Sequence, residues 1–338
     1  MAESSDATPQ AAPQDPAPLR VIVTGATGFV GRYIVRELVA RGHHPVCLVR
    51  DRSRLSIEHV ARDRIDVVQC DLYDTEPLAA VMQDADAVIH LVGIIFEHPL
   101  RGQTFERVHV ETTRHVIEAA KPAGVKRIVH MSALGARPHA VSRYHQTKWE
   151  AEGLVRASAL GWTIFRPSVI HGADGEFMRM MRTMVCDWFV PAFGFVPMPF
   201  PVIPYFGKGT PRLQPVSVKD VAACFVTALN NPEHIGQAYE LGGPEAMSWK
   251  EFYRVCRELI QSGRCRKPIV GLPIILAKLL AETIMRLPIL PEMLRFNIGQ
   301  VQMSLEDLVC DHTRIEKAFG IRLRDFRHEL ADYAALID

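Results

Sequence analysis

Three side chains near the middle of the chain have the types and spacing for proton-transfer chemistry. Tyr144-His145-Gln146-Thr147-Lys148 sets a phenol and an ammonium four residues apart, on one face if the segment is a helix. An ammonium beside a phenol favours the phenolate and lowers its pKa, which suits a proton donor or acceptor near neutral pH. Ser132, at the end of the apolar run Arg127–Met131, offers a hydroxyl to a substrate oxygen. Ser132, Tyr144 and Lys148 are the candidate catalytic residues. An exposed Tyr/Lys pair on a helix is the alternative account of the same spacing.

A second constellation lies near the start. Gly25, Gly28 and Gly31, three apart, follow the apolar run Val21–Thr24 and precede Arg32–Leu38, so they read as strand, tight turn and helix. One glycine lets the backbone turn, one removes a Cβ where a pyrophosphate must approach, and one lets the helix pack on the strand. Free N–H groups at the helix start, backed by the helix dipole, suit phosphate charge. Thr24-Gly25-Ala26-Thr27-Gly28-Phe29-Val30-Gly31 is thus a candidate dinucleotide turn, with Gly25, Thr27, Gly28, Phe29, Val30 and Gly31 as cofactor-binding residues. Arg50 follows the next apolar run, Pro45–Val49. An acid there would bind the free 2′-hydroxyl of NAD, whereas an arginine suits the extra phosphate of NADP. The expectation is NADP(H) over NAD(H), with Asp51 as the residue that would reverse it if the strand ends one position later. No CxxC pair indicates a zinc site, and no metal is expected.

These residues need a frame. Strand-length apolar runs alternate with helix-period segments: Val21–Thr24, helix Val30–Arg41, Pro45–Val49, Asp66–Cys70, Ala87–Val92, helix Phe105–Ala120, Arg127–Met131, helix Ser142–Ser158 and Thr163–Phe165. The alternation predicts an α/β fold of the Rossmann type, a doubly wound parallel sheet with helices on both faces. Ligands on such sheets sit at the carboxyl ends of the strands, where the loops after Thr24, Val49, Cys70, Val92 and Met131 would converge. After Pro167 the texture changes to a smaller, mostly helical cap interleaved with the last strands. Val216–Leu229 reads as a helix, Tyr239–Leu241 as a strand, and Ser248-Trp249-Lys250-Glu251 as a capping box opening a helix to about Ile260. The expected division is a disordered tail at 1–19, a nucleotide-binding domain at 20–166 and a cap region at 167–338.

Composition excludes several classes. The 338 residues carry a net charge of +1, with 48% hydrophobic and 23% charged residues, which gives no sign of nucleic-acid binding. Seven scattered cysteines (Cys47, Cys70, Cys186, Cys224, Cys256, Cys265, Cys310) form no CxxC pair, consistent with a reducing compartment. Met1–Leu19 lacks the basic start and apolar core of a signal peptide, and the expected location is cytoplasmic. Trp188–Gly207 is uncharged for twenty residues but holds five prolines, so it reads as a long apolar loop and not a membrane span. With Met178, Met180, Met181 and Met184 it forms either an apolar substrate pocket or plain cap core. Leu272–Arg286 is an apolar helix with one polar stripe, Lys278, Glu282 and Arg286. It packs on the cap, or it gives a peripheral contact with a membrane or protein partner. The sequence leaves the oligomeric state open.

The chain resembles the short-chain dehydrogenase/reductase superfamily. The residues that carry the resemblance are the glycine turn, Asp71-Leu72, Ser132, Tyr144-x-x-x-Lys148 and Arg166-Pro167-Ser168-Val169-Ile170-His171-Gly172. It implies that Lys148 also holds the nicotinamide ribose, that Asp71, with Leu72, lies at the adenine, and that Pro167 and Val169 pass the nicotinamide. His90-Leu91-Val92-Gly93-Ile94-Ile95, Phe105-Glu106-x-Val108-His109-Val110-Glu111-x-Thr113 and His130-Met131-Ser132-Ala133-Leu134-Gly135-Ala136 are similar to atypical bacterial members related to the nucleotide-binding accessory subunit of respiratory complex I. That likeness adds Gly93 to the cofactor site. It also implies that a bound nucleotide can be structural. Sugar-nucleotide epimerases and dehydratases of the superfamily usually have an asparagine where this chain has His109, and a longer loop than Ser132–Tyr144.

The expected activity is therefore an NADPH-dependent oxidoreductase acting on an apolar, carbonyl- or quinone-like small molecule. A non-catalytic nucleotide-binding assembly or sensor protein is the second expectation, and a sugar-nucleotide epimerase or dehydratase the third.

Overall fold

The computed structural model describes residues 17–57, 60–186, 202–260, 267–283 and 296–337. The chain runs β1 (Arg20–Thr24), α1 (Phe29–Ala40), β2 (His44–Val49), β3 (Asp66–Gln69), α2 (Thr75–Met82) and β4 (Ala87–His90). A π-helical turn (Glu106–Glu111) then leads into α3 (Thr112–Ala120), followed by β5 (Arg127–Met131), α4 (Arg143–Arg156) and β6 (Gly161–Pro167). The remainder is β7 (Ile170–His171), α5 (Glu176–Cys186), β8 (Ile203–Phe206), β9 (Arg212–Leu213), β10 (Val216–Ser217), α6 (Val218–Asn230) and β11 (Gln237–Leu241). It closes with β12 (Met247–Ser248), α7 (Trp249–Leu259), β13 (Ile269–Leu272), α8 (Ile274–Glu282), α9 (Ile298–Met303), α10 (Thr313–Phe319) and α11 (Phe326–Tyr333).

Seven strands form one sheet in the order β11-β6-β5-β4-β1-β2-β3, every neighbouring pair parallel. Both faces are covered, so the strands read as continuous apolar runs. Val21, Val23, Ile89 and Phe165 pack with α1 and α6, while Ile22, Val88, Ile128 and Ile164 pack with α2 and α3. This is the doubly wound Rossmann-type sheet expected from the alternation. A third core, built on Met178, Met181, Phe252 and Phe326, holds the C-terminal part together. Met178 and Met181 are therefore cap core. Of the stretch Trp188–Gly207, residues 188–201 lie outside the described residues, and the remainder is not all loop, because Ile203–Phe206 is a strand paired with Ile269–Leu272.

Local differences from the sequence pattern have physical causes. Phe105–Ala120 is not one α-helix, because its first part widens into the π turn. The strand expected over Thr163–Phe165 spans Gly161–Pro167. At its start, buried Arg127 donates to the Gly161 carbonyl and, at 2.5 Å, to Thr163 Oγ1, which ties β6 to β5. At Ser248 only half of the capping box forms. Ser248 Oγ accepts from the Glu251 N–H at 3.2 Å, but Arg327 donates to the Glu251 carboxylate at 2.8 Å. The described part of the 272–286 helix buries only Ala277 and Ala281, while Ile275 and Leu279 are exposed. Among the described residues no helix is long and apolar enough to cross a membrane.

Two glycines test how tightly the first βα unit is packed. A Cβ on Gly31 would overlap the Gly25 carbonyl oxygen, whereas one on Gly153, in α4, would meet nothing within 4 Å. Gly31→Ala is expected to destabilise by about 1–3 kcal/mol through forced backbone shifts. Gly153→Ala should stabilise by about 0.5–1 kcal/mol from helix propensity alone. Urea unfolding of the two variants checks this, and equal effects would contradict the close packing.

Candidate functional site

The sheet order reverses at β1, whose neighbours are β2 on one side and β4 on the other. Crossovers leave in opposite directions there, so a crevice opens at the carboxyl ends of β1 and β4. Thr24 Oγ1 and His90 Nδ1 lie 2.7 Å apart and join these two strand ends. Gly25 has φ +76°, and a Cβ on it would stand 3.3 Å from the Leu91 side chain. Gly28 is exposed and caps α1 without any side-chain capping bond. A Cβ on Gly28 would meet only the Gly25 carbonyl, at 3.2 Å, among the described residues. The first N–H groups of α1 are the donors that a pyrophosphate would meet there.

The remaining residues of the turn also tie it into the fold. Thr27 is half-buried and its carbonyl accepts from Arg32 at 3.2 Å. Val30 packs on the core. The Phe29 ring lies against Gly172 and Gly175, where a Cβ would stand 2.9 and 3.1 Å from it. This explains the glycine that ends the Arg166–Gly172 motif. Asp174 completes the join, accepting from Arg32 at 2.6 Å and from Tyr33 at 3.0 Å. Nothing in the spacing of Asp174 pointed to it.

At the other end of the crevice Arg50 is exposed directly after β2. The Asp51 carboxylate is engaged within its own turn, where Oδ1 accepts from the Ser53 N–H at 2.9 Å and the Ser53 hydroxyl at 2.7 Å. Those bonds hold its carboxyl below the usual range. Asp71 is exposed at the end of β3, with Oδ1 accepting from the Tyr73 N–H at 3.1 Å, and Leu72 packs on the core beside it.

The candidate catalytic residues gather at the ends of β4 and β5. Lys148 is 4% exposed, and its Nζ donates to the Met131 carbonyl at 3.1 Å, one peptide from Ser132. Gly93 lies directly beside it; a Cβ there would stand 2.8 Å from Nζ and 3.6 Å from His109 Nε2. Burial pushes the Lys148 ammonium down to about 8, against the opposing influence of Glu152. Ser132 is buried and its Oγ has no hydrogen-bond partner among the described residues. Pro167, at the end of β6, accepts from the Leu134 N–H at 2.9 Å, and the Val169 carbonyl accepts from Val216 at 2.9 Å.

Tyr144 differs from the expectation. Its ring packs edge-on against Phe105, His109 and His145, with centroids 5.8, 5.5 and 5.2 Å away. This desolvation pushes the phenol up to about 12, instead of the lowering expected from a neighbouring ammonium. Lys148 is bonded to the Met131 carbonyl and not to the phenol.

His109 is a buried link between elements. His109 Nδ1 lies 2.9 Å from Thr147 Oγ1, and Nε2 lies 3.1 Å from the Ile94 N–H and 3.0 Å from the Ile94 carbonyl oxygen. Burial pushes this histidine down to about 2, so it is neutral. The π turn that carries it is the kind of irregularity that re-aims a side chain at a site. Thr147, Ile94 and Glu152 were missed in the sequence; only Glu152 had a usable signal, one turn beyond Lys148 on the same face.

Comparison with known proteins agrees with this geometry. A family model described as NAD(P)H-binding matches residues 25–182. The NADH dehydrogenase (ubiquinone) 1 alpha subcomplex subunit 9 of Arabidopsis thaliana mitochondria is 30% identical over 306 residues, covering 86% of this chain and 71% of that protein. A ceramide reductase of Caulobacter vibrioides is 33% identical over 63% of this chain, which spans 61% of that protein's length. The fold is shared with a dTDP-glucose 4,6-dehydratase of Streptomyces venezuelae solved with NAD and TYD (TM-score 0.71, 20% identity, 94% of this chain and 96% of that one). It is shared also with a UDP-glucuronic acid 4-epimerase of Bacillus cereus solved with UDP-glucuronic acid and NAD (TM-score 0.69, 18% identity, 95% and 100%). The chain belongs to the family of the subunit-9 proteins of mitochondrial NADH dehydrogenase, with an NAD(P)H-binding region on a Rossmann-type fold of the epimerase/dehydratase kind.

Proposed function

We propose that this protein is an NADP(H)-dependent oxidoreductase that acts on a carbonyl or alcohol carbon of an apolar small molecule. The observation that carries the proposal is Ser132: a buried hydroxyl with no partner among the described residues, one peptide from the carbonyl that holds Lys148. A buried hydroxyl calls for a hydrogen-bond partner, and a substrate oxygen would serve as one. A protein that only stored a nucleotide would need Lys148 and the glycine turn but not Ser132. The nicotinamide, when bound, supplies the hydride chemistry. Ser132 Oγ would donate to the reacting oxygen, Tyr144 Oη would exchange the proton with it, and Lys148 Nζ would hold the ribose hydroxyls. The likeness to the ceramide reductase and the apolar segment around Phe206 support an apolar substrate.

A second function, a nucleotide-binding assembly or sensor protein without turnover, is favoured by two observations. The Tyr144 phenol is pushed up, away from the range of an easy proton donor at neutral pH. The subunit-9 relatives are, by name, parts of a larger dehydrogenase. The exposed apolar residues of α8 support contact with a protein or membrane partner in either case. The departures at His109 and in the short Ser132–Tyr144 loop count against sugar-nucleotide chemistry.

Arg50 is the basis of the coenzyme preference, since Asp51 is occupied by Ser53. Charge-assisted hydrogen bonds to a 2′-phosphate contribute about 1.5–3 kcal/mol, so NADPH should bind roughly tenfold or more tightly than NADH. Calorimetric titration is the check; Arg50→Ala should erase the difference, and equal affinities in the wild type would contradict it. Gly28→Val should abolish binding of both while the circular dichroism spectrum is kept, because the new side chain fills only the pyrophosphate surface.

Tyr144→Phe separates the two functions. Cofactor affinity should barely change, whereas NADPH-dependent reduction of an apolar ketone or quinone should fall by about 10²–10⁴-fold, the usual contribution of a positioned acid or base. Tight nucleotide binding without turnover across a broad carbonyl panel would favour the assembly function.

A further inference from the structure

Glu152 lies on α4 one turn beyond Lys148 and is fully buried. Arg166 Nε and Nη2 donate to its two carboxylate oxygens at 2.7 Å each, and Arg156 adds a third bond at 3.1 Å. Arg166 also stands over the Trp149 ring, 5.5 Å from its centroid. A buried carboxylate is tolerated only when paired with this kind of geometry. The pair joins α4, which carries Tyr144 and Lys148, to the end of β6, where Arg166 is followed by Pro167 and Val169.

We propose that Glu152 is a positioning residue of the nucleotide site, fixing the end of β6 on α4 through Arg166 and keeping Lys148 charged as an ammonium. The proposal rests on the role of Lys148 given above.

The groups around Lys148 leave few other sources of negative charge. On its own helix they are Tyr144, a neutral phenol, and Glu152. From β4 and β5 come His90, His130 and the Met131 carbonyl; from the π turn comes His109, and from the loop after β4 the backbone of Gly93. The three histidines are pushed down by burial and carry no charge near neutral pH. Arg166 and Arg156 sit beyond Glu152 and oppose it. Glu152 is therefore the carboxylate that offsets the desolvation of Lys148. Without it the amine would lose its proton at lower pH, and its attraction for a ribose hydroxyl would weaken.

The test reads the Lys148 ionisation directly in the full chain without nucleotide, by NMR of lysine Cε resonances, with Lys148→Arg to assign the signal. Glu152→Gln should lower the midpoint by about one unit or more. Glu152→Asp should restore it to near the wild-type value. Arg166→Gln breaks the same clamp but removes a positive charge, so its midpoint should stay or rise. In parallel, the high-pH loss of NADPH affinity should move down in Glu152→Gln with the NMR midpoint. An unchanged midpoint in Glu152→Gln, or a lowered midpoint in Arg166→Gln, overturns the proposal. If Glu152→Gln does not fold, the Arg166→Gln and Glu152→Asp midpoints decide. Because the ionisation is read without cofactor or turnover, absence of reductase activity would count against the proposed function and not against this role.

Discussion

The Lys148 ammonium is held out of water, and the site is arranged around that cost. The drop from its ordinary value to about 8 corresponds to roughly 3 kcal/mol of disfavoured charge. Three features make it tolerable. The Met131 carbonyl accepts one of its protons, Gly93 gives up a side chain so that the head fits, and Glu152 supplies the opposite charge a turn away. Each comes from a different element, so β4, β5 and α4 must meet at one point for the charge to be carried. The parallel sheet makes that meeting possible, because its order brings the carboxyl ends of β4 and β5 side by side.

The same reasoning bears on the histidines of this region. His90, His109 and His130 are buried close to a cation, and charged imidazoles there would repel it. Burial keeps them neutral, and neutral rings can serve as links instead. His90 bridges Thr24 and Thr113, and His109 bridges Ile94 and Thr147. His109 reaches its partners because the π turn rotates it relative to a regular helix. His109 thereby joins the loop after β4 to the helix that carries Tyr144.

Much of this was legible in the sequence, for identifiable reasons. A glycine turn between an apolar strand and a helix is a local pattern whose residues are all neighbours in the chain, so spacing reveals it. The same holds for Tyr144 and Lys148, four apart on one helix. The environment of those residues was not legible in the same way. The rise of the Tyr144 phenol comes from Phe105, His109 and His145, two of which approach from a distant segment. The redirection of Glu251 to Arg327 spans 76 residues. The π turn has no periodic signature distinct from that of an α-helix over so short a length. Arg166 stands in a recognisable motif, yet its partner Glu152 is apparent only with β6 and α4 side by side.

The balance between enzyme and assembly protein turns on which state of Tyr144 is relevant. In the structure the phenol is surrounded by rings and receives nothing from Lys148, so its proton is held tightly. A nucleotide ribose placed between the ammonium and the phenol would change both surroundings, adding hydroxyl groups that donate to a developing phenolate. Donors of that kind are what the proposed reaction would need for Tyr144 to give up its proton. Ser132 bears on the proposed reaction in the same way, because its buried hydroxyl has no partner among the described residues and a reacting oxygen would give it one. The enzyme and the assembly protein thus differ in what they ask of two hydroxyls: the proposed reaction uses both Ser132 and Tyr144, whereas holding a nucleotide uses Lys148 and the glycine turn.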